Sequence, residues 1–237
     1  MNTTEPRATI GLVGGLGVGA AIHYYRTLAA AYDDQREPMR LVMDHASITR
    51  VAAFASDGDR QGLANYLAGF LGRLKLAGAT IGVVPAVTPH LCIDELEAIT
   101  PIPLVDITQV VRDHLIERKL TRVALFGTRF VVESALYGRL NGIDVVRPQD
   151  EEVDFIHDAY TRLAQTGVAA AEDRVSFIRL AETLRSREGV EAILLAGTDL
   201  TVMFNAANTP FAHVDCAGAH IAAILDRLRR HSVTSAS

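Results

Sequence analysis

Two kinds of residue in this 237-residue chain could do chemistry: glycine turns able to hold anions, and small Thr, His and Asp clusters that follow apolar runs. Gly14-Gly15-Leu16-Gly17-Val18-Gly19 follows a strand-like run and opens a helix-like one. Backbone N–H groups at such a turn attract phosphate or carboxylate, so Gly14 and Gly15 are candidate ligand contacts. Gly15, Gly17 and Ala20 also fit the G-x-G-x-x-G/A dinucleotide fingerprint, with Asp44 at the end of the next run as the ribose-binding acid. That keeps a nicotinamide-dependent oxidoreductase open as an alternative. Thr88 and His90 follow the run at 81–85, Thr128 that at 122–126, and Thr198 and Asp199 that at 192–196. Threonine hydroxyls and helix-start amides suit a carboxylate and would stabilise developing negative charge. Imidazole titrates near neutrality, and apolar neighbours raise a carboxyl pKa, so His90 and Asp199 are candidate proton carriers.

Parallel strands with helical crossovers would position these groups. Apolar runs at 8–13, 40–44, 81–85, 105–107, 122–126, 144–147, 192–196 and 212–214 alternate with segments of helical period at 19–31, 62–76, 108–117, 133–140, 154–165, 171–187 and 216–228. That is the pattern of βα units around a parallel sheet covered by helices. It repeats weakly: a strand, a glycine turn and a helix occur near 10–19 and again near 123–133. The chain is therefore expected to be α/β, with two similar doubly wound parallel-sheet halves and a cleft between them. Residues 1–100 plus 206–237 form the first half and 101–205 the second. Ligands of open parallel sheets bind beyond the carboxyl ends of the strands, where all the candidate residues fall.

Composition removes several function classes. Lys and Arg number 23 against 28 Asp and Glu, a formal net charge of −5, which offers no positive field to a nucleic acid. The apolar stretch at 8–22 has five glycines between Gly11 and Gly19 and falls short of the roughly 20 residues a membrane span needs, so no membrane partner is expected. Cys92 and Cys216 could make one bridge at most, and a reducing cytoplasm is the expected location.

Six segments occur together in an order and spacing that resembles the aspartate/glutamate racemase family: IGLVGGLGVGAAIHYY at 10–25, SITR at 47–50, VPAVTPH at 84–90, GTRFVVESALY at 127–137, ILLAGTDL at 193–200 and VDCAGAH at 214–220. The resemblance implies two α/β halves, commonly a homodimer, holding a small amino acid or dicarboxylate between them with no cofactor. It adds Arg50 as a carboxylate partner, matches His220 to a histidine of the last helix, and makes Ala86, Val87 and Gly197 substrate contacts alongside Gly14, Gly15, Thr88, Thr128 and Thr198.

The family's reaction uses two thiols, one to remove the Cα proton and one to return it on the other face, because a thiol pKa lies near enough to working pH for both roles. At the two matching positions this chain carries Ala86 and Gly197. Neither can accept a proton, and trimming both side chains is expected to enlarge the pocket. The lysine that would hold a second carboxylate falls in the stretch 168–171, here Val-Ala-Ala-Ala. The expectation is a divergent relative that binds a small carboxylate and acts as a cofactor-independent isomerase or lyase through a carbanion or enolate. Thr88 and Thr198 would stabilise charge and His90 or Asp199 would move the proton. A catalytically silent ligand-binding or regulatory protein is the alternative.

Overall fold

The computed structural model describes residues 8–33 and 38–234. Its strands are short and almost wholly apolar because helices cover both faces of each sheet. In chain order the elements are β1 (Ile10–Gly14), α1 (Val18–Asp33), β2 (Leu41–His45), α2 (Ile48–Asp57), α3 (Arg60–Leu76), β3 (Ile81–Val83), a 3-10 turn at Thr88–Cys92, α4 (Ile93–Ile99) and α5 (Ile107–Glu117). There follow β4 (Arg122–Phe126), α6 (Arg129–Glu133), β5 (Asp144–Val146), α7 (Asp150–Thr166), α8 (Ala171–Glu188), β6 (Ala192–Leu195), a 3-10 turn at Thr198–Val202, β7 (His213–Asp215) and α9 (Cys216–Thr234). All strand pairs are parallel, in two sheets ordered β2-β1-β3 and β5-β4-β6-β7. This is the α/β architecture of two parallel-sheet halves read from the sequence.

Side-chain alternation assigns the layers. Ile10, Leu12, Ile81 and Val83 pack with Tyr24 and Leu28 of α1 and Ile221, Ile224 and Leu228 of α9, while Val13 and Val84 pack on the other side with Leu63, Leu67, Leu71 and Leu74 of α3. The second half has its own core, in which Phe126 meets Phe177 of α8 and Phe211 near β7.

Three expected features differ, and one helix was not expected. Residues 105–107 form no strand; Leu104 makes one bridge to Gly82, and Asp106 then accepts the Thr108 N–H at 2.8 Å and starts α5. The boundary at 206 gave β7 to the first half, whereas its hydrogen bonds join it to β6 in the second sheet and only α9 returns to the first. The helix expected at 133–140 stops at Glu133: the Ser134 hydroxyl donates to Phe130 O and accepts the Tyr137 N–H, and Ala135, Leu136 and Tyr137 take φ of 49°, 56° and 58°. Finally, 48–57 is a helix, with Ser47 accepting the Arg50 N–H at one end and Gly58 in the left-handed region at the other. Among the described residues no helix is long and apolar enough to cross a membrane.

Candidate functional site

The carboxyl ends of the two sheets face each other, and polar contacts join them across the divide. The Thr198 hydroxyl, from the end of β6, donates to Pro85 O at 3.0 Å beyond β3. The Thr88 and Thr128 hydroxyls, one from each half, lie 3.2 Å apart. The Tyr137 hydroxyl reaches across to Thr88 O at 3.2 Å.

Beside these contacts is a cavity of about 480 Å³. Leu16, Ala86, Val87, Thr88 and Pro89 line it from the first half, with Ile48, Thr49, Val51, Ala52, Ala53 and Ser56 from α2 and its N-terminal turn; Thr128, Phe130, His157, Tyr160, Thr161, Ala164 and Gln165 line it from the second. No Lys, Arg, Asp, Glu or Cys is among these residues. Four of the expected site residues, Ala86, Val87, Thr88 and Thr128, therefore meet at the cavity.

The others lie outside its lining. Arg50 stacks its guanidinium on the Tyr66 ring, 4.6 Å from the centroid. His90 is buried, and because a carbonyl can only accept, its Nδ1–H is the donor in the 2.8 Å bond to Ala86 O. Its Nε2 stands 4.0 Å from Asp106, too far for a hydrogen bond, and burial pushes its pKa down. His220 is also buried, donating from Nε2 to Val105 O and accepting the Tyr24 hydroxyl at Nδ1; burial takes its pKa down to about 3. Neither ring is a proton carrier for the cavity in this geometry. Both hold the frame behind it.

Asp199 answers the question posed by the glycine loop. The N-cap of α1 is Gly17, which has no side chain to satisfy the first turn, and Asp199 from the other half does so instead: Oδ1 accepts the Ala20 N–H at 2.9 Å. The fit is close, since a Cβ on Gly17 (φ 150°) would lie 2.1 Å from Asp199 Oδ2. The anion seat at this helix start is thus filled by the protein's own carboxylate, which leaves no room there for a pyrophosphate. Asp44, the acid of the dinucleotide reading, is held by Arg73 at 2.6 Å. Asp199 has no solvent exposure and its Oδ2 makes no geometrically sound hydrogen bond, although the Tyr160 phenol is near enough to favour the anion. Burial dominates and raises its pKa to about 6, against the Ala20 N–H and Tyr160, which lower it.

At Gly197 the pocket is not enlarged. A Cβ there would lie 2.2 Å from Tyr160 Cε2, so the aromatic ring of α7 occupies the space a side chain would need. The two thiols are elsewhere. Cys92 donates to Pro89 O and burial pushes its pKa up to about 12, while Cys216 is raised well above the ordinary range for the same reason. Both are buried and unbridged, so neither is poised as a thiolate.

A family model described as Asp/Glu/Hydantoin racemase matches residues 13–224. The chain belongs to the Asp/Glu/hydantoin racemase family. Solved structures agree in fold. A candidate Asp/Glu racemase from Yersinia pestis is 25% identical with a TM-score of 0.79, the match covering 94% of this chain and 99% of that one. An aspartate racemase homologue from Pyrococcus horikoshii OT3 is 23% identical with a TM-score of 0.75, covering 93% and 99%. Glutamate racemase from Francisella tularensis, solved in complex with D-glutamate, is 12% identical with a TM-score of 0.69 and covers 94% and 82%, a likeness of fold.

Sequence reasoning missed His157, Tyr160, Thr161 and the whole α2 wall of this family member's cavity. For α2 the signal was available: Ser47 before Ile48, apolar Val51 and Ala55, then Gly58. For α7 the spacing of 157, 160, 161 and 164 fixes one helix face, but which cavity that face meets depends on how α7 docks.

Proposed function

We propose that this racemase-family chain is a cofactor-independent isomerase or lyase that binds a small carboxylate between its halves, with Ala86, Val87, Thr88 and Thr128 as contacts. The observation that carries this is the pair of Thr88 and Thr128 hydroxyls, 3.2 Å apart, in a cavity lined otherwise largely by apolar side chains. Hydroxyl donors set among apolar walls stabilise an oxyanion more than they would in bulk water. In a lyase reaction the bond from the α-carbon to the departing group breaks, the group leaves without the electron pair as a neutral molecule such as CO2, the pair spreads into the retained carboxylate as an enolate, and a proton from solvent completes the product. Thr198 and Asp199 act on this cavity through the frame that joins the halves. Two-thiol racemization has no support in residues 86 and 197. We also propose a cytoplasmic homodimer; buried, reduced thiols suit a reducing compartment, and the family resemblance suggests the dimer.

A second reading, a catalytically silent ligand-binding protein, is favoured by the lack, among the described residues, of any carboxylate, thiol or amine in the lining. The two separate in D2O. Incubation with amino acids, dicarboxylates, substituted malonates and apolar monocarboxylates such as hexanoate, followed by NMR, should show Cα–H exchange or loss of carboxylate with at least one of them. A ligand that raises the melting temperature with no exchange or elimination would decide for the silent protein, and racemase-rate exchange of aspartate or glutamate would overturn the argument from Ala86 and Gly197.

A further inference from the structure

We infer that the ligand of this cavity is a monocarboxylate with an apolar body and no ammonium group, oriented by a donor that the sequence did not reveal, the Nε2–H of His157. The inference rests on the carboxylate reading above and goes beyond it to the substrate class.

The lining decides the class by what it can pair. An α-amino acid brings an ammonium and a carboxylate; burying either charge without a partner is strongly unfavourable. Among the described residues the lining's hydrogen-bonding side chains are all neutral, Thr88, Thr128 and His157 beside Thr49, Ser56, Tyr160, Thr161 and Gln165, and it holds no carboxylate for an ammonium. The nearby acids are engaged: Asp199 caps α1 and Asp106 caps α5. Nor does the lining hold a cation for a second carboxylate. The apolar part of the lining, including Ile48, Val51, Phe130 and Ala164, suits a hydrocarbon substituent.

His157 supplies direction. The Arg129 backbone N–H, next to Thr128, donates to its Nδ1 at 3.2 Å. A backbone N–H can only donate, so Nδ1 carries the lone pair and the neutral ring carries its proton on Nε2. The ring is therefore set as a hydrogen-bond donor beside Thr128, and Nε2 is its remaining polar atom. In that tautomer it serves as an oxygen anchor and not as a base.

The test compares three six-carbon probes by calorimetry at pH 7.5 with the intact protein: hexanoate, norleucine, which adds the ammonium, and adipate, which adds a second carboxylate. Hexanoate is expected to bind at least about 10-fold more tightly than either of the others. His157→Phe should weaken hexanoate about 10-fold and His157→Gln, which keeps an N–H donor, less than about 3-fold, with unliganded melting temperatures recorded to separate folding from binding. If His157→Phe lowers stability, the comparison of His157→Gln with His157→Leu at a temperature where both are folded reads the same donor. Norleucine or adipate binding as well as hexanoate would overturn the substrate class while leaving a carboxylate site. Silence of all three probes would overturn the carboxylate reading itself, and equal affinity across the His157 variants would remove that residue from the site.

Discussion

The Asp199 carboxylate shows how one side chain can answer two demands. Its charge suits the amide-rich start of α1, where a negative group is favoured, yet its complete burial disfavours that charge, and burial prevails. The folded-state pKa of about 6 lies above the ordinary 3.8. Between those values the folded form holds the proton more tightly than the unfolded chain, so this group makes the protein lose stability as pH rises from about 4 to about 6, by up to about 3 kcal/mol. Asp199→Asn, which keeps an acceptor for the Ala20 N–H, should lack that slope. Urea denaturation at pH 4.5 and 7.5 should show the variant gaining about 2 kcal/mol on wild type between the two; parallel curves would mean that another group titrates. The loop's taste for an anion was legible in Gly14 to Gly19. That the anion is internal was not, because Asp199 is 182 positions from Gly17 in the chain.

At the scale of elements, the segment after β4 departs furthest from sequence expectation. The apolar period through 133–140 reads as a helix, yet Ala135, Leu136 and Tyr137 sit in the left-handed region and Gly138 follows at φ 70°. Left-handed backbone costs a residue with a Cβ about 1–2 kcal/mol, and tertiary contacts must offset it: Leu136 is buried in the second core and Tyr137 bonds to Thr88 O. The reversal brings Tyr137 to the Thr88 turn, where a continued helix would carry it onward. Ala135→Gly removes the penalty without touching either contact and should raise stability by about 0.5–1 kcal/mol in denaturant titrations, net of the freer unfolded chain. A loss of stability would show that the Ala135 methyl packs usefully. Periodicity alone could not see this, because a buried turn and a buried helix place apolar residues alike.

For the molecule as a whole, the decisive contact is between α7 and the end of β6. Ala86 borders an open cavity, so Ala86→Cys should fold with little cost. Gly197→Cys drives a side chain into the Tyr160 ring and should lower the melting temperature by several degrees, at about 2–4 °C per kcal/mol for a chain this size. Adding Tyr160→Ala should recover part of that loss, with a coupling of at least about 1 kcal/mol in the double-mutant cycle; additive effects would mean the ring moves aside freely. Restoring two thiols therefore requires trimming Tyr160 as well. From sequence alone, the order of apolar runs determined the parallel α/β halves, because these follow from local periodicity and residue type, while the motifs at their ends carried the resemblance to the family and the expectation of a site among strand ends. Only the tertiary structure decided that Asp199 caps the facing half, that His90 and Arg50 point elsewhere, and that α7 brings His157 and Tyr160 to the cavity while α2 forms its facing wall. Those outcomes depend on which helix face packs against which sheet end, and no residue's neighbours along the chain record that.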